Sequence, residues 1–144
     1  MFRKTRHIHF IGIGGIGMSG MAELLFKLGF KISGSDKNLS DKTDQLSQMG
    51  IQVFKGHEGS HVIDSDVVVY SSAVPKDNPE MIEAEKQNIP VIRRAEMLGE
   101  LLKVKPISVA IAGTHGKTST SSILGAILTE SNIDPTLVIG GIVN

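Results

Sequence analysis

The sequence contains no cysteine in 144 residues. That excludes disulfides, thiolate metal sites and a cysteine nucleophile, and it fits a cytoplasmic protein. Net charge is also missing, because fifteen lysines and arginines balance fifteen aspartates and glutamates. A broad nucleic-acid or anionic-membrane surface needs a basic excess, so neither partner is expected. A local anion pocket made of backbone N–H groups needs no such excess. No apolar run reaches the roughly eighteen residues of a transmembrane helix, so no membrane insertion is expected. Low-complexity segments are absent, and nothing repeats beyond two strand–glycine–helix openings. The basic start Arg3-Lys4-Thr5-Arg6 before an apolar stretch has the outline of a secretory signal. Glycines break that stretch, however, Glu23 and Lys27 follow at once, and no small-x-small cleavage site is evident.

Glycine is abundant where phosphate chemistry would want it. The stretch "HFIGIGGIGMSG", His9 to Gly20, holds five glycines among apolar neighbours and no acidic or basic residue other than the terminal histidine. Around it the chain alternates. "HIHFIGIG" predicts a short buried strand, and Met21, Leu24, Leu25 and Leu28 recur at helical spacing with Gly29 placed to end the helix. "FKISGSD" predicts a second strand. Ser40 or Asp41 is placed to cap a helix carrying Leu46 and Met49 inward. "IQVF" and the β-branched run "DVVVY" predict strands, the latter covered on both faces. A polar helix over Glu80 to Asn88, the strand "PVI" and the helix "AEMLGELLK" follow. This order implies an α/β fold, a Rossmann-like, doubly wound parallel sheet.

At Lys103-Val104-Lys105-Pro106 the pattern pauses, which predicts a boundary between a first domain over residues 1–104 and a second unit over 105–144. "ISVAIAG" predicts a new strand, Lys117 to Glu130 a helix, and "PTLVIGG" one more strand. About forty residues rarely fold alone. The expectation is that the chain is the front part of a longer protein, or that this tail packs on the first domain.

Gly12-x-Gly14-x-x-Gly17 matches G-x-G-x-x-G between a predicted strand and a predicted helix. Glycines let backbone approach a phosphate, and the helix N-terminus supplies N–H groups and partial positive charge. Ser19 adds a hydroxyl in the first turn. Asp36 ends the second predicted strand nineteen residues after Gly17, where a Rossmann acid accepts ribose hydroxyls. The same glycines would also serve close helix–strand packing. These residues favour a nucleotide diphosphate without saying which, and NAD is the default.

The second loop, "AIAGTHGKTSTSS", ends in Gly116-Lys117-Thr118 at a predicted helix start. In a P-loop, backbone N–H groups wrap the phosphates, the lysine reaches the β and γ oxygens, and the next hydroxyl binds Mg²⁺. Lys117 and Thr118 fit those roles. The loop is shorter than G-x-x-x-x-G-K-[ST], since its first glycine is Gly113 and residue 111 is isoleucine. A dehydrogenase has no use for a Mg-triphosphate site directly after its dinucleotide fold. An enzyme joining an activated substrate to something else at the expense of ATP needs both.

Taken together, "HFIGIGGIGMSG", "GSD" at 34–36, "YSSAV" at 70–74, "RRAEML" at 93–98 and "AGTHGKTST" resemble the Mur ligase family of peptidoglycan synthesis. The short G-T-x-G-K-T loop is that family's own variant, and His115 points to its alanine-adding branch. The resemblance covers the whole chain. It implies that the first loop holds the UDP of UDP-N-acetylmuramate, with Gly14, Gly15, Gly17, Met18 and Ser19 near the diphosphate. It places Asp36 at the nucleoside, and His57, Ser71 and Ser72 lining the pocket. Gly113, Thr114, His115, Gly116, Lys117, Thr118 and Ser119 would bind ATP, with Lys117 catalytic and Thr118 on Mg²⁺. The implied reaction is amide formation: ATP phosphorylates the muramate carboxylate and the amine of L-alanine attacks the acyl phosphate. The family's later Mg²⁺ ligands and amino-acid site would lie beyond Asn144. Two other readings stay open on the residues, a non-catalytic nucleotide-binding module and an NAD-binding oxidoreductase domain.

Overall fold

The computed structural model describes residues 3–104 and 106–137. Five strands, β1 (His7–Ile11), β2 (Lys31–Asp36), β3 (Gln52–Lys55), β4 (Val67–Tyr70) and β5 (Val91–Arg93), form one sheet in the order β3-β2-β1-β4-β5. Every pair is parallel, and Ile11 stands level with Ser35 on one side and Tyr70 on the other. This is the doubly wound order, in which the chain starts in the middle and builds outward in both directions.

The period of two along each strand decides what each face packs against. Ile8 and Phe10 of β1, Ile32 of β2 and Val67 and Val69 of β4 face one way. They meet Met18, Met21, Ala22 and Leu25 of α1 (Ile16–Lys27), Leu46 of α2 (Asp41–Gln48), and Met97 and Leu101 of α4 (Arg94–Leu102). On the other face Ile11 and Val68 meet Val62 of a 3₁₀ turn (Gly59–Val62) and Ala84 of α3 (Pro79–Lys86). That second face is unusual because the alternate positions of β1 and β2 are polar: His7, His9, Ser33 and Ser35 are all buried there.

Local chemistry sets the helix starts. The Thr43 hydroxyl accepts the Ser40 N–H at 2.7 Å, which anchors the entry to α2. Asn78 caps α3 by accepting the N–H of Glu80 at 2.9 Å, with Pro79 at the first helical position. That cap delivers Glu80 into the polar layer under the sheet. No helix among the described residues is long and apolar enough to cross a membrane.

Beyond α4 the expectations divide. The predicted helix forms as α5 (Lys117–Glu130). The predicted strand over 107–113 does not: these residues are irregular, with Ile107 85% and Val109 65% exposed. A strand is completed by the hydrogen bonds of a neighbour, and no described segment makes backbone hydrogen bonds to this one. Residues 135–137 of the predicted last strand are irregular as well, and the rest of that strand lies outside the described residues.

Candidate functional site

The carboxyl ends of β1 and β4 adjoin where the strand order reverses, the place at which open α/β sheets receive ligands. β1 leaves the sheet through Gly12, whose φ of +81° is costly for any residue with a Cβ. In that conformation the N–H groups of Gly12 and Ile13 both donate to the Ser35 carbonyl, at 2.8 and 3.0 Å. The Gly14 N–H donates to Asp36 Oδ2 at 2.8 Å. The loop is thus laced to the end of β2. α1 begins after Gly15 with no side-chain cap and no acidic residue in its first turn. Its first N–H groups therefore lack an internal partner, which is what an anion requires.

Other expected residues fall around this loop in different ways. Gly15 is exposed, and Gly17, Met18 and Ser19 are buried. The Ser19 hydroxyl donates to the Ile16 carbonyl at 3.1 Å, so it serves its own helix. Ser71 stands across the gap from Gly12, its Oγ 4.0 Å from where a Cβ on that glycine would lie. Ser72 is exposed in the turn that the Val74 N–H closes on the Ser71 carbonyl. Asp36 uses both carboxylate oxygens on backbone, Oδ1 accepting the Asn38 N–H at 3.2 Å. The Arg94 guanidinium, which sequence reasoning left unassigned, lies against Gly17 in the first turn of α1.

His57 follows Gly56, whose N–H donates to the Asp36 carbonyl at 2.8 Å, so it sits beside Asp36 at the sheet edge. Its Nδ1 turns inward, 2.9 Å from Glu80 Oε2 and 3.0 Å from Ser35 Oγ. Glu80 is the hub of the polar layer and has no exposed surface. The Ser35 hydroxyl donates to its Oε2 at 2.6 Å, and His61 Nδ1 lies 2.7 Å from Oε1. His9 Nε2 lies 3.4 Å from Oε1, near enough for charge attraction but without a hydrogen bond. Burial pushes the Glu80 carboxyl up, but His9, Ser35 and His57 more than offset this and bring it down to about 2. The layer continues through Ser33, whose Oγ is 2.8 Å from His9 Nδ1 and 2.7 Å from His7 Nε2. Burial holds the His7 imidazole below its ordinary range. Among the described residues no group of three or more histidines and carboxylates is arranged to hold a metal ion.

Sequence reasoning passed over Glu80, His9 and His61. One signal was available: His-x-His in an otherwise apolar strand puts two imidazoles on one buried face, and they must find polar partners.

The second loop is exposed from Gly113 to Lys117. Gly116 precedes α5 in the left-handed region, and the Lys117 amine folds back onto the Gly113 carbonyl. Thr118 is half-buried in the first turn of the helix, and His115 and Ser119 are exposed.

A model of the Mur ligase family, catalytic domain, matches residues 7–106. The chain belongs to the Mur ligase family. Its relatives within that family include the UDP-N-acetylmuramate–L-alanine ligase of Syntrophus aciditrophicus, 57% identical over 98% of this chain and 29% of the relative. The enzyme of the same name from Geotalea daltonii is 58% identical over all of this chain and 31% of its own length. The crystal structure of UDP-N-acetylmuramate-alanine ligase from Thermotoga maritima superposes with a TM-score of 0.88 at 36% identity. It covers 95% of this chain and 32% of that one. The chain therefore spans about three tenths of the length of these Mur ligases.

Proposed function

We propose that this chain carries the UDP-sugar-binding region of a cytoplasmic, ATP-dependent ligase that joins L-alanine to UDP-N-acetylmuramate. The observation that carries the reading is the uncapped start of α1 behind a glycine loop tied to Ser35 and Asp36. The relatives' names supply the substrates. In this reading the diphosphate lies on the free N–H groups from Ile16 to Met18, beside Gly14 and Gly15 and close to the Arg94 guanidinium. Asp36 and His57 serve the nucleoside, and Ser71 and Ser72 close the far side of the crevice. Residues 1–104 form this unit and residues 105–144 begin the ATP unit. α4 ends at Leu102, which agrees with that division.

The second loop has the residues for a triphosphate. Gly113 to Gly116 offer exposed backbone, Lys117 an ammonium for the phosphate oxygens, and Thr118 and Ser119 hydroxyls in the first turn of α5. Mg²⁺, held by Thr118, would neutralise phosphate charge. Transfer to the muramate carboxylate depends chiefly on such neutralisation and on positioning. In a complete ligase built on this chain, Lys117→Ala should abolish turnover and leave UDP-sugar binding nearly intact, because the two loops serve different ligands. Loss of both with a preserved fold would mean that the sites are divided wrongly.

Calorimetric titration with UDP-N-acetylmuramate, NAD and ATP tests the first loop. Gly15 has φ −62° and ψ 146°, which any residue adopts, and a Cβ there would clear the Gly12 carbonyl by 3.4 Å. Gly15→Val should therefore fold normally while its branched side chain blocks the approach of phosphate. Affinity for the UDP-sugar is expected to fall tenfold or more, on the order of one lost charge-assisted hydrogen bond. Undiminished binding, or a preference for NAD, would overturn the reading.

A further inference from the structure

Glu80 lies more than twenty residues from the glycine loop and from His57 in sequence, yet it faces both through one layer of side chains. Four segments around it each offer a polar group: His9 from β1, Ser35 from β2, His57 from the loop after β3 and His61 from the 3₁₀ turn. From α3 itself, the Asn78 side chain fixes the Glu80 backbone. Two of the three imidazoles, those of His57 and His61, present Nδ1 to the carboxylate. An ionised carboxylate only accepts, so Nδ1 of each must carry the proton.

We propose that Glu80 is a positioning residue for the nucleotide site: it locks His57 with Nδ1 protonated and leaves Nε2 of the neutral ring as a bare acceptor for a ligand N–H or O–H. The ligand's identity rests on the UDP-sugar reading above, but the tautomer does not. The outward nitrogen is available. His9 Nε2 is the sole buried side-chain nitrogen or oxygen without a hydrogen bond among the described residues, and the His57 side chain is 24% exposed, so His57 Nε2 is not sealed inside. It is also well placed, since the preceding residue is bonded to the Asp36 carbonyl and Asp36 holds Gly14. The carboxylate acts on the loop a second way. It accepts the hydroxyl of Ser35, the residue whose carbonyl takes the Gly12 and Ile13 N–H groups. An imidazole whose inner N–H is fixed by a carboxylate is a discriminating acceptor. It takes a donor such as the imide N–H of uracil or a ribose hydroxyl, and it repels a carbonyl edge.

The test begins with the unsubstituted 144-residue chain. Nitrogen-15 NMR should find His57 as the Nδ1–H tautomer before any ligand is added, and the Nε2–H tautomer would overturn the proposal whatever the variants do. UDP is the probe for binding. Glu80→Gln should yield mixed tautomers at His57 and about tenfold weaker UDP binding near neutral pH, one hydrogen bond's worth. Glu80→Asp should recover part of the loss. A 3-methyl-UDP arm locates the donor: insensitivity to Glu80→Gln assigns it to the base, and retained sensitivity assigns it to the ribose. Unchanged affinity and His57 tautomer in a folded Glu80→Gln chain would overturn the proposal. Failure of the unsubstituted chain to bind UDP, with the tautomer as stated, would overturn the ligand reading and leave the positioning role standing.

Discussion

Glu80→Leu should destabilise the chain by about 3–5 kcal/mol, the range for removing one member of a buried charged network. The leucine replaces volume but leaves His9 with no exposed surface and no anion, and deprives Ser35 and His61 of the acceptor they share. Urea unfolding at neutral pH measures it, and a loss under about 1 kcal/mol would show that the network contributes nothing net to folding. The acid limb carries a second signature. The Glu80 carboxyl is held down from 4.5 to about 2, so the unfolded chain takes up a proton that the folded chain refuses. Its contribution is complete above pH 4.5 and is lost as pH falls from there to about 2. That amounts to about 3 kcal/mol. The parent should lose stability steeply through this window, and Glu80→Leu should lose much less.

Gly34→Ala should cost about 2–3 kcal/mol and loosen the first glycine loop together with the fold. Gly34 sits mid-strand in β2 opposite Phe10, where alanine would ordinarily be the better residue. Here the turn after β1 crosses directly above it. An added Cβ would lie 2.5 Å from Ile13 Cδ1, 2.7 Å from Ile13 Cβ and 2.8 Å from the Phe10 carbonyl. The δ-methyl can swing aside, but the Ile13 Cβ and the Phe10 backbone cannot without breaking the bonds that Gly12 and Ile13 make to Ser35. Urea unfolding and UDP-sugar titration should both register the change. Stability within about 0.5 kcal/mol of the parent would show that the turn can lift off β2 at little cost.

The alternation of strands and helices up to Leu102, and the helix that starts at Lys117, were legible in the residues alone. Their causes are local. Helical spacing of Met21, Leu25 and Leu28, the β-branched run Val67 to Val69, and the turn and cap residues at Gly29 and Ser40 act within a few positions of one another. Strand–glycine–helix order is equally local, so both loops stand out as candidate phosphate loops before any coordinates. Strand formation at 107–113 could not be read that way. Its apolar, β-branched residues satisfy the local rule, but a strand also needs a neighbour, and that is a tertiary condition. The polar layer likewise emerged only on folding. His9, Ser35, His57, His61 and Glu80 come from five separate segments, and the local sequence does not say that Glu80 is buried while Glu85, five residues on, is exposed. Gly34 looked like an ordinary strand residue until the Gly12–Ile13 turn was laid across it. Side-chain period and turn chemistry propagate along the chain, whereas burial, protonation and close approach depend on what the fold brings across it.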